Sequence, residues 1–184
     1  MRLENGKLCL RALELESNDL DRIYRWLTGD AILTFFSGRD RIRSRADVQA
    51  EFAPNAYGGP LMIEYERQVI GFLDICPFTV EQKIRHGLAD APDPVWAFDI
   101  VIGEVALHNR GIGRQIIRMI LPVLFDQFHA QRVVLDTYPW NARAIRCYEH
   151  CGFKVTRVLP QHELYEGSSV DAVLMEIDRA PFYA

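Results

Sequence analysis

Residues 108–115 read HNRGIGRQ, two glycines one residue apart between arginines, shortly after the apolar run WAFDIVI at 96–102 and just before IIRMILPVLFDQF at 116–128. A strand that turns through Gly-x-Gly into a helix is the tightest constraint in the chain. It brings several unpaired backbone N–H groups to the positive end of a helix, with no side chain blocking an approaching anion. Arg110 and Arg114 add mobile positive charge, and each charge-assisted bond to a phosphate contributes about 1.5–3 kcal/mol. A tight turn that binds nothing would use the same residues, and Gly111, Ile112 and Gly113 alone do not choose between the two. Two familiar phosphate motifs are excluded. The P-loop ends in Gly-Lys-Ser/Thr, which is missing here, and the dinucleotide fingerprint needs a third Gly or Ala where Ile116 stands.

The charge balance narrows the partner. With 21 Lys and Arg against 25 Asp and Glu, the net charge is −4 and the pI is about 5.7. That argues against nucleic acid, which needs a surplus of basic side chains, and favours a cationic small molecule. Hydrophobic residues at 49% and charged residues at 25% are ordinary globular composition, and the length predicts a single domain over residues 1–184. Cys9, Cys76, Cys147 and Cys151 show neither a Cys-x-x-Cys pair nor zinc-site spacing, so reduced thiols and no metal are expected. The N-terminal stretch lacks a signal-peptide core and no run is apolar enough for a membrane span. A cytoplasmic protein away from membranes is expected, as a monomer or a homodimer.

Residues 8–12 read as a first strand, followed by Ser17, Asn18 and Asp19 as capping side chains for a helix marked by Leu20, Ile23, Tyr24 and Leu27 and stopped at Gly29. A second helix is predicted from Ser44 as N-cap to about Ala53, with Pro54 ending it. Residues 61–66 and 69–77 look like a hairpin turned at Arg67-Gln68. Between Pro77 and Pro94 the chain becomes polar and reads as a long surface loop. After the strand at 96–102 comes the helix that Pro122 interrupts, then a strand at 132–138 (RVVLDTY). A short helix at 141–151 ended by Gly152 and strands at 153–159 and 170–178 close the chain. This order predicts an α/β sandwich around a mixed sheet.

A second cluster, PWNARAIRCYEHCGF, begins 28 residues past the first. Asn141 is placed to cap a helix, Ala144 is small enough for close approach, and Tyr148 lies two turns beyond Asn141 on the same face. Together, RGIGRQ and NARAIRCYEHCGF, one helix and one strand apart, resemble the acetyl-coenzyme A signature of the GNAT superfamily of N-acetyltransferases. Gln115 stands where the superfamily motif usually has Gly or Ala. More narrowly, LRALELESNDLDRIYRWL, ADVQAEF, VIGF and RAIRCYEHCGF are similar to stretches of bacterial aminoglycoside 6'-N-acetyltransferases. The resemblance implies a mixed, mostly antiparallel sheet of six to seven strands flanked by helices, with two central parallel strands, 96–102 and 132–138, splayed apart.

It also implies a mechanism. Backbone groups of Ile100, Val101 and Ile102 would bond the pantetheine arm of acetyl-CoA, and Arg110, Gly111, Ile112, Gly113 and Arg114 would hold its pyrophosphate. Asn141 would touch the arm and Tyr148 would face the thioester sulfur. A phenol near pKa 10 can protonate the departing thiolate while itself uncharged at neutral pH. Asp99 and Asp136 each interrupt an otherwise apolar strand, where an unpaired buried carboxylate would be costly. Asp99 is the preferred base and Asp136 the residue that orients a substrate ammonium, although backbone bonds at a bulge would also explain either. Asp90 and Asp93 would add acidic wall, or merely decorate a loop. Phe35 and Phe36 sit where the resembling enzymes carry aromatics beside the sugar, and would equally suit a core. Cys147 and Cys151 lack a local base, and the five histidines form no triad in the sequence. The alternatives are acetylation of a siderophore hydroxylamine or of a protein N-terminus, and a binding module that holds acyl-CoA without chemistry.

Overall fold

The computed structural model describes residues 1–15, 18–53, 57 and 59–182. The strands are β1 (Arg2–Asn5), β2 (Leu8–Ala12), β3 (Leu61–Tyr65), β4 (Gln68–Pro77), β5 (Val95–Ile102), β6 (Arg132–Thr137), β7 (Lys154–Tyr165) and β8 (Ser168–Asp178). The helices are α1 (Asp19–Trp26), α2 (Asp30–Leu33), α3 (Arg45–Glu51), α4 (Val80–Arg85), α5 (Ile112–Pro122), α6 (Ala142–Glu149) and α7 (Arg179–Phe182). All eight strands belong to one sheet in the order β1-β2-β3-β4-β5-β6-β8-β7. Two compact units interleave along the chain: residues 1–74, 99–110 and 164–168, and residues 75–98, 111–163 and 169–184.

In the first unit, β1 to β4 pair antiparallel in sequence order, with a bulge between Ile63 and Glu64. Strand β1 escaped the sequence reading because RLEN is mostly exposed and carries no alternation. Its hairpin with β2 turns at Gly6, whose φ is +60°. The core gathers Ile23, Trp26 and Leu27 around Val48, Phe52, Met62, Phe72 and Val101, as the three-to-four spacing before Gly29 requires. Helix α1 is not capped as expected. Asn18 at its N-cap makes no side-chain bond, and Ser17 lies outside the described residues. Asp19, fully buried, instead accepts from Arg11 Nη1 at 2.6 Å and Nη2 at 3.0 Å and from the Glu14 N–H. Helix α1 ends at Trp26, and Gly29 is the N-cap of the unexpected α2. Ser44 caps α3 in a reciprocal box with Asp47; Pro54 lies outside the described residues. A Cβ on Gly71 would stand 2.0 Å from the Val101 carbonyl oxygen, so β4 comes this close only because the residue is glycine.

In the second unit, β5 and β6 run parallel over three pairs, Val95↔Arg132 to Ala97↔Val134, and β6 pairs antiparallel with β8 from Arg132↔Asp178 to Thr137↔Val173. The core includes Leu88, Val95, Ala97, Val134, Leu159, Ala172 and Leu174. The expected surface loop between Pro77 and Pro94 contains α4, capped by a reciprocal Thr79–Gln82 box that polar composition concealed. Pro122 ends α5, and the chain continues through Val123–Gln127 as a wider π-type turn. Lacking an N–H, proline cannot join the i→i−4 ladder, and the wider turn accommodates it. Strands β7 and β8 outrun their expected 153–159 and 170–178, meeting at a turn where Glu166 and Gly167 have φ of +46° and +76°. The polar stretch 160–165 hid this extension; β7 ends the sheet, where Pro160 is tolerated. Among the described residues, no helix is long and apolar enough to cross a membrane.

The buried ion pair of the first unit is directly testable. Replacing Asp19 by Ala removes the bidentate partner of the nearly buried Arg11 guanidinium, which keeps only Glu64 at 2.7 Å as a carboxylate partner, and should lower the unfolding free energy by about 1–3 kcal/mol in urea titration. A loss below about 1 kcal/mol would place the pair among solvated surface bridges.

Candidate functional site

The glycine turn opens α5. Gly111 is its N-cap with φ of +75°, in the left-handed region that a side chain resists. The Gln115 N–H bonds the Gly111 carbonyl, so the N–H groups of Ile112, Gly113 and Arg114 precede the helix's own ladder. Arg110 and Arg114 are exposed. The Arg114 guanidinium folds over the cap, with Nη2 3.3 Å from where a Cβ on Gly111 would lie. The turn thus brings three first-turn N–H groups and two exposed arginines together at the positive end of α5.

Asn141 caps α6, its Oδ1 accepting from Ala144 N at 3.3 Å while its Nδ2 donates to Thr137 Oγ1 at 3.3 Å. Only 6% of Asn141 is exposed, so both ends of its amide serve to fix the start of the helix. Two turns on, Tyr148 is half-buried, its ring 6.3 Å from Phe98 and 6.0 Å from Phe153. Those rings limit its rotation. Cys147 on this helix and Cys151 just past its end interact with each other: a hydrogen bond from Cys151 holds the Cys147 thiol below its usual range against the effect of burial, and the same bond with burial pushes Cys151 up.

The two strand carboxylates are more open than their apolar neighbours suggested. Asp99 is exposed, and Asp136 keeps 28% of its side chain exposed. Asp99 stands exposed between the buried Phe98 and the half-buried Ile100, on the side of the pleat opposite to both. Val101 is buried and Ile100 and Ile102 are half-buried, and the Ile102 carbonyl accepts from His108 Nε2 at 2.7 Å. Phe36 packs edge-on to Phe72, ring centroids 6.3 Å apart, and so belongs to the first unit's core; Phe35 is half-buried. Asp90 is exposed. Asp93 pairs with the buried Lys83 ammonium at 2.8 Å, so its charge is matched inside the protein.

The model of the acetyltransferase (GNAT) domain family matches residues 16–160. The chain belongs to the GNAT acetyltransferase family. Among the relatives of this GNAT domain, aminoglycoside N(6')-acetyltransferase type 1 of Klebsiella pneumoniae is 27% identical over 157 residues, 82% of this chain and 75% of that one. A kanamycin resistance protein of Rhizobium radiobacter is 33% identical over 63 residues, 34% of this chain and 58% of that one. Of solved structures, AAC(6')-Ib in complex with ribostamycin and coenzyme A superposes with a TM-score of 0.76 at 23% identity, covering 97% of both chains. Spermidine N-acetyltransferase from Vibrio cholerae, in complex with CoA and spermine, gives 0.77 at 19% identity over 98% of this chain and all of that one. These two likenesses establish the GNAT fold.

The fold of this GNAT domain also joins three side chains that the sequence kept apart. His86 follows α4, Asp136 lies on β6 and His162 on β7. His86 Nε2 is 3.2 Å from His162 Nε2 and 3.6 Å from Asp136 Oδ1. Burial disfavours the charged form of His86, but the Asp136 carboxylate and the Gln82 carbonyl outweigh it and hold its pKa above the usual histidine value. For His162, burial, the neighbouring His86 and Arg85 all push it down, with Asp136 opposing. Of the three, only Asp136 gave a sequence signal, as a charge in an apolar strand; separations of 50 and 26 residues have no local pattern.

Asp93 offers a test of its structural partnership. Changing it to Asn leaves Lys83 buried beside a neutral group and should destabilise the fold by about 1–3 kcal/mol in urea, with the KM of any amine substrate unchanged. A raised KM at unchanged stability would make it a substrate contact instead.

Proposed function

We propose that this GNAT domain transfers an acetyl group from acetyl-CoA to a primary amine of a cationic small molecule, the 6'-amine of an aminoglycoside, and thereby inactivates it. The observation that carries the acceptor is the 27% identity with an aminoglycoside N(6')-acetyltransferase along 82% of the chain, together with the acidic balance of the sequence. The transfer needs no metal. The four cysteines are thiols rather than disulfides, which suits a reducing compartment, and we place the reaction in the cytoplasm.

The donor end follows from backbone chemistry. The N–H groups of Ile112, Gly113 and Arg114 at the positive end of α5, with the Arg110 and Arg114 guanidiniums, would bind the pyrophosphate. Backbone groups of Ile100, Val101 and Ile102 would bond the pantetheine arm; the Ile102 carbonyl is already engaged by His108. Asn141, with both amide ends occupied, acts by anchoring α6 and so setting the position of Tyr148. The Tyr148 hydroxyl would donate its proton to the thiolate as the thioester carbon–sulfur bond breaks.

At the acceptor end, a neutral amine attacks the acetyl carbonyl and must shed a proton. Asp99, exposed at its strand, takes that proton directly or through a water. Asp136 and Asp90 would hold the substrate's other ammonium groups and raise its encounter rate, and Phe35 would flank the sugar. Asp93, matched by Lys83, contributes little to this field.

A panel of amines with thiol release as readout tests the acceptor. Turnover is expected with an aminoglycoside bearing a 6'-amine and not with its 6'-hydroxyl counterpart; release with spermidine, a hydroxylamine or a peptide amine alone would reassign the substrate. No release with any amine despite coenzyme A binding would make the chain a binding module. Tyr148→Phe should lower kcat by about 10²-fold or more with the KM for acetyl-CoA little changed. Asp99→Asn should cost a similar factor and abolish the acidic limb of the pH–rate profile; an unchanged profile removes Asp99 from the base role.

A further inference from the structure

From the convergence of His86, Asp136 and His162, we propose that the second unit carries a binding site for a divalent transition-metal ion of the zinc type, an ion that would compete with a substrate ammonium for Asp136. Each residue offers one ligand atom, and the three atoms lie within 4.8 Å of one another. Nitrogen and oxygen ligands about 2.0–2.2 Å from a tetrahedral ion stand about 3.3–3.6 Å apart. The observed separations, 3.2 Å between the two Nε2 atoms and 3.6 Å from His86 Nε2 to Asp136 Oδ1, match that spacing.

The outer shell is also in place. His86 Nδ1 lies 2.7 Å from the Gln82 carbonyl oxygen. A carbonyl only accepts, so Nδ1 carries a proton, and loss of the Nε2 proton on binding an ion would turn that nitrogen's lone pair into the cluster. A backbone carbonyl on the far nitrogen is the usual device for fixing a metal-ligating imidazole. Both rings are held, His86 8% and His162 6% exposed at the side chain, with centroids 4.5 Å apart and Phe78 4.7 Å from His86. Asp136, 28% exposed, is the open side through which an ion and a completing water enter. Two imidazoles and one carboxylate select zinc, cobalt or nickel over magnesium or calcium, which prefer all-oxygen sites.

The metal alone tests this on the full chain. Stripped with a chelator and titrated with cobalt(II), the protein should develop visible d–d absorption that saturates at one ion per chain, bleaches on zinc addition and lacks a near-ultraviolet thiolate-to-cobalt band. His162→Gln and Asp136→Asn should each weaken cobalt binding more than about tenfold while circular dichroism and melting show them folded; His86→Gln should do the same if it folds. No absorption at excess cobalt would reduce the cluster to a hydrogen-bonded histidine pair. A thiolate band, or binding untouched by His162→Gln, would place the ion elsewhere. Either result overturns the site, and neither depends on acetyltransferase activity.

Discussion

The parallel ladder between β5 and β6 ends after three residue pairs, at Ala97↔Val134, although β5 continues to Ile102 and β6 to Thr137. A parallel pair needs a crossover connection, and the helix that supplies it, α5, must start close behind the first strand. Its first-turn N–H groups have no partners in the helix. The short ladder and the glycine-capped helix thus arise from one topological step, and the proposed seat for acetyl-CoA rests on both. Gly111, held at positive φ, lets the chain make that turn.

Donor and acceptor chemistry are separated by kind. In the proposed reaction the donor would be held by backbone, at a turn shaped by glycine and by the dipole of α5, and the acceptor by side-chain carboxylates, whose effect is set by what else they touch. Asp93 and Asp136 illustrate this: both are acids in the second unit, but one is matched to Lys83 while the other faces two histidines. The GNAT fold accordingly fixes the reaction more firmly than the substrate, and enzymes named for aminoglycosides and for spermidine share it at comparable TM-scores.

Several misreadings share a cause. Helix α4 and the outer part of β7 are polar, so hydrophobic periodicity gave no trace of them; their signals are a Thr79–Gln82 capping box and edge position. Strand β1 was missed for the same reason. Asp19 was read as a cap because capping residues are recognised by type, whereas its role is set by Arg11 arriving from β2. Asp99 was read as buried because its neighbours are apolar, but on a pleated strand adjacent side chains face opposite ways.

The sequence by itself determined the strand–glycine turn–helix, the capped helix bearing Tyr148 and the family to which both belong, because these depend on residues close together in the chain and on backbone geometry that glycine, asparagine and proline announce. Tertiary structure decided which carboxylates are open, that Asp93 is neutralised by Lys83, that Phe36 packs on Phe72, and that His86 and His162 meet at Asp136. Those outcomes depend on through-space distances between distant segments. No local pattern encodes such distances; they are set when the sheet brings its strands into order.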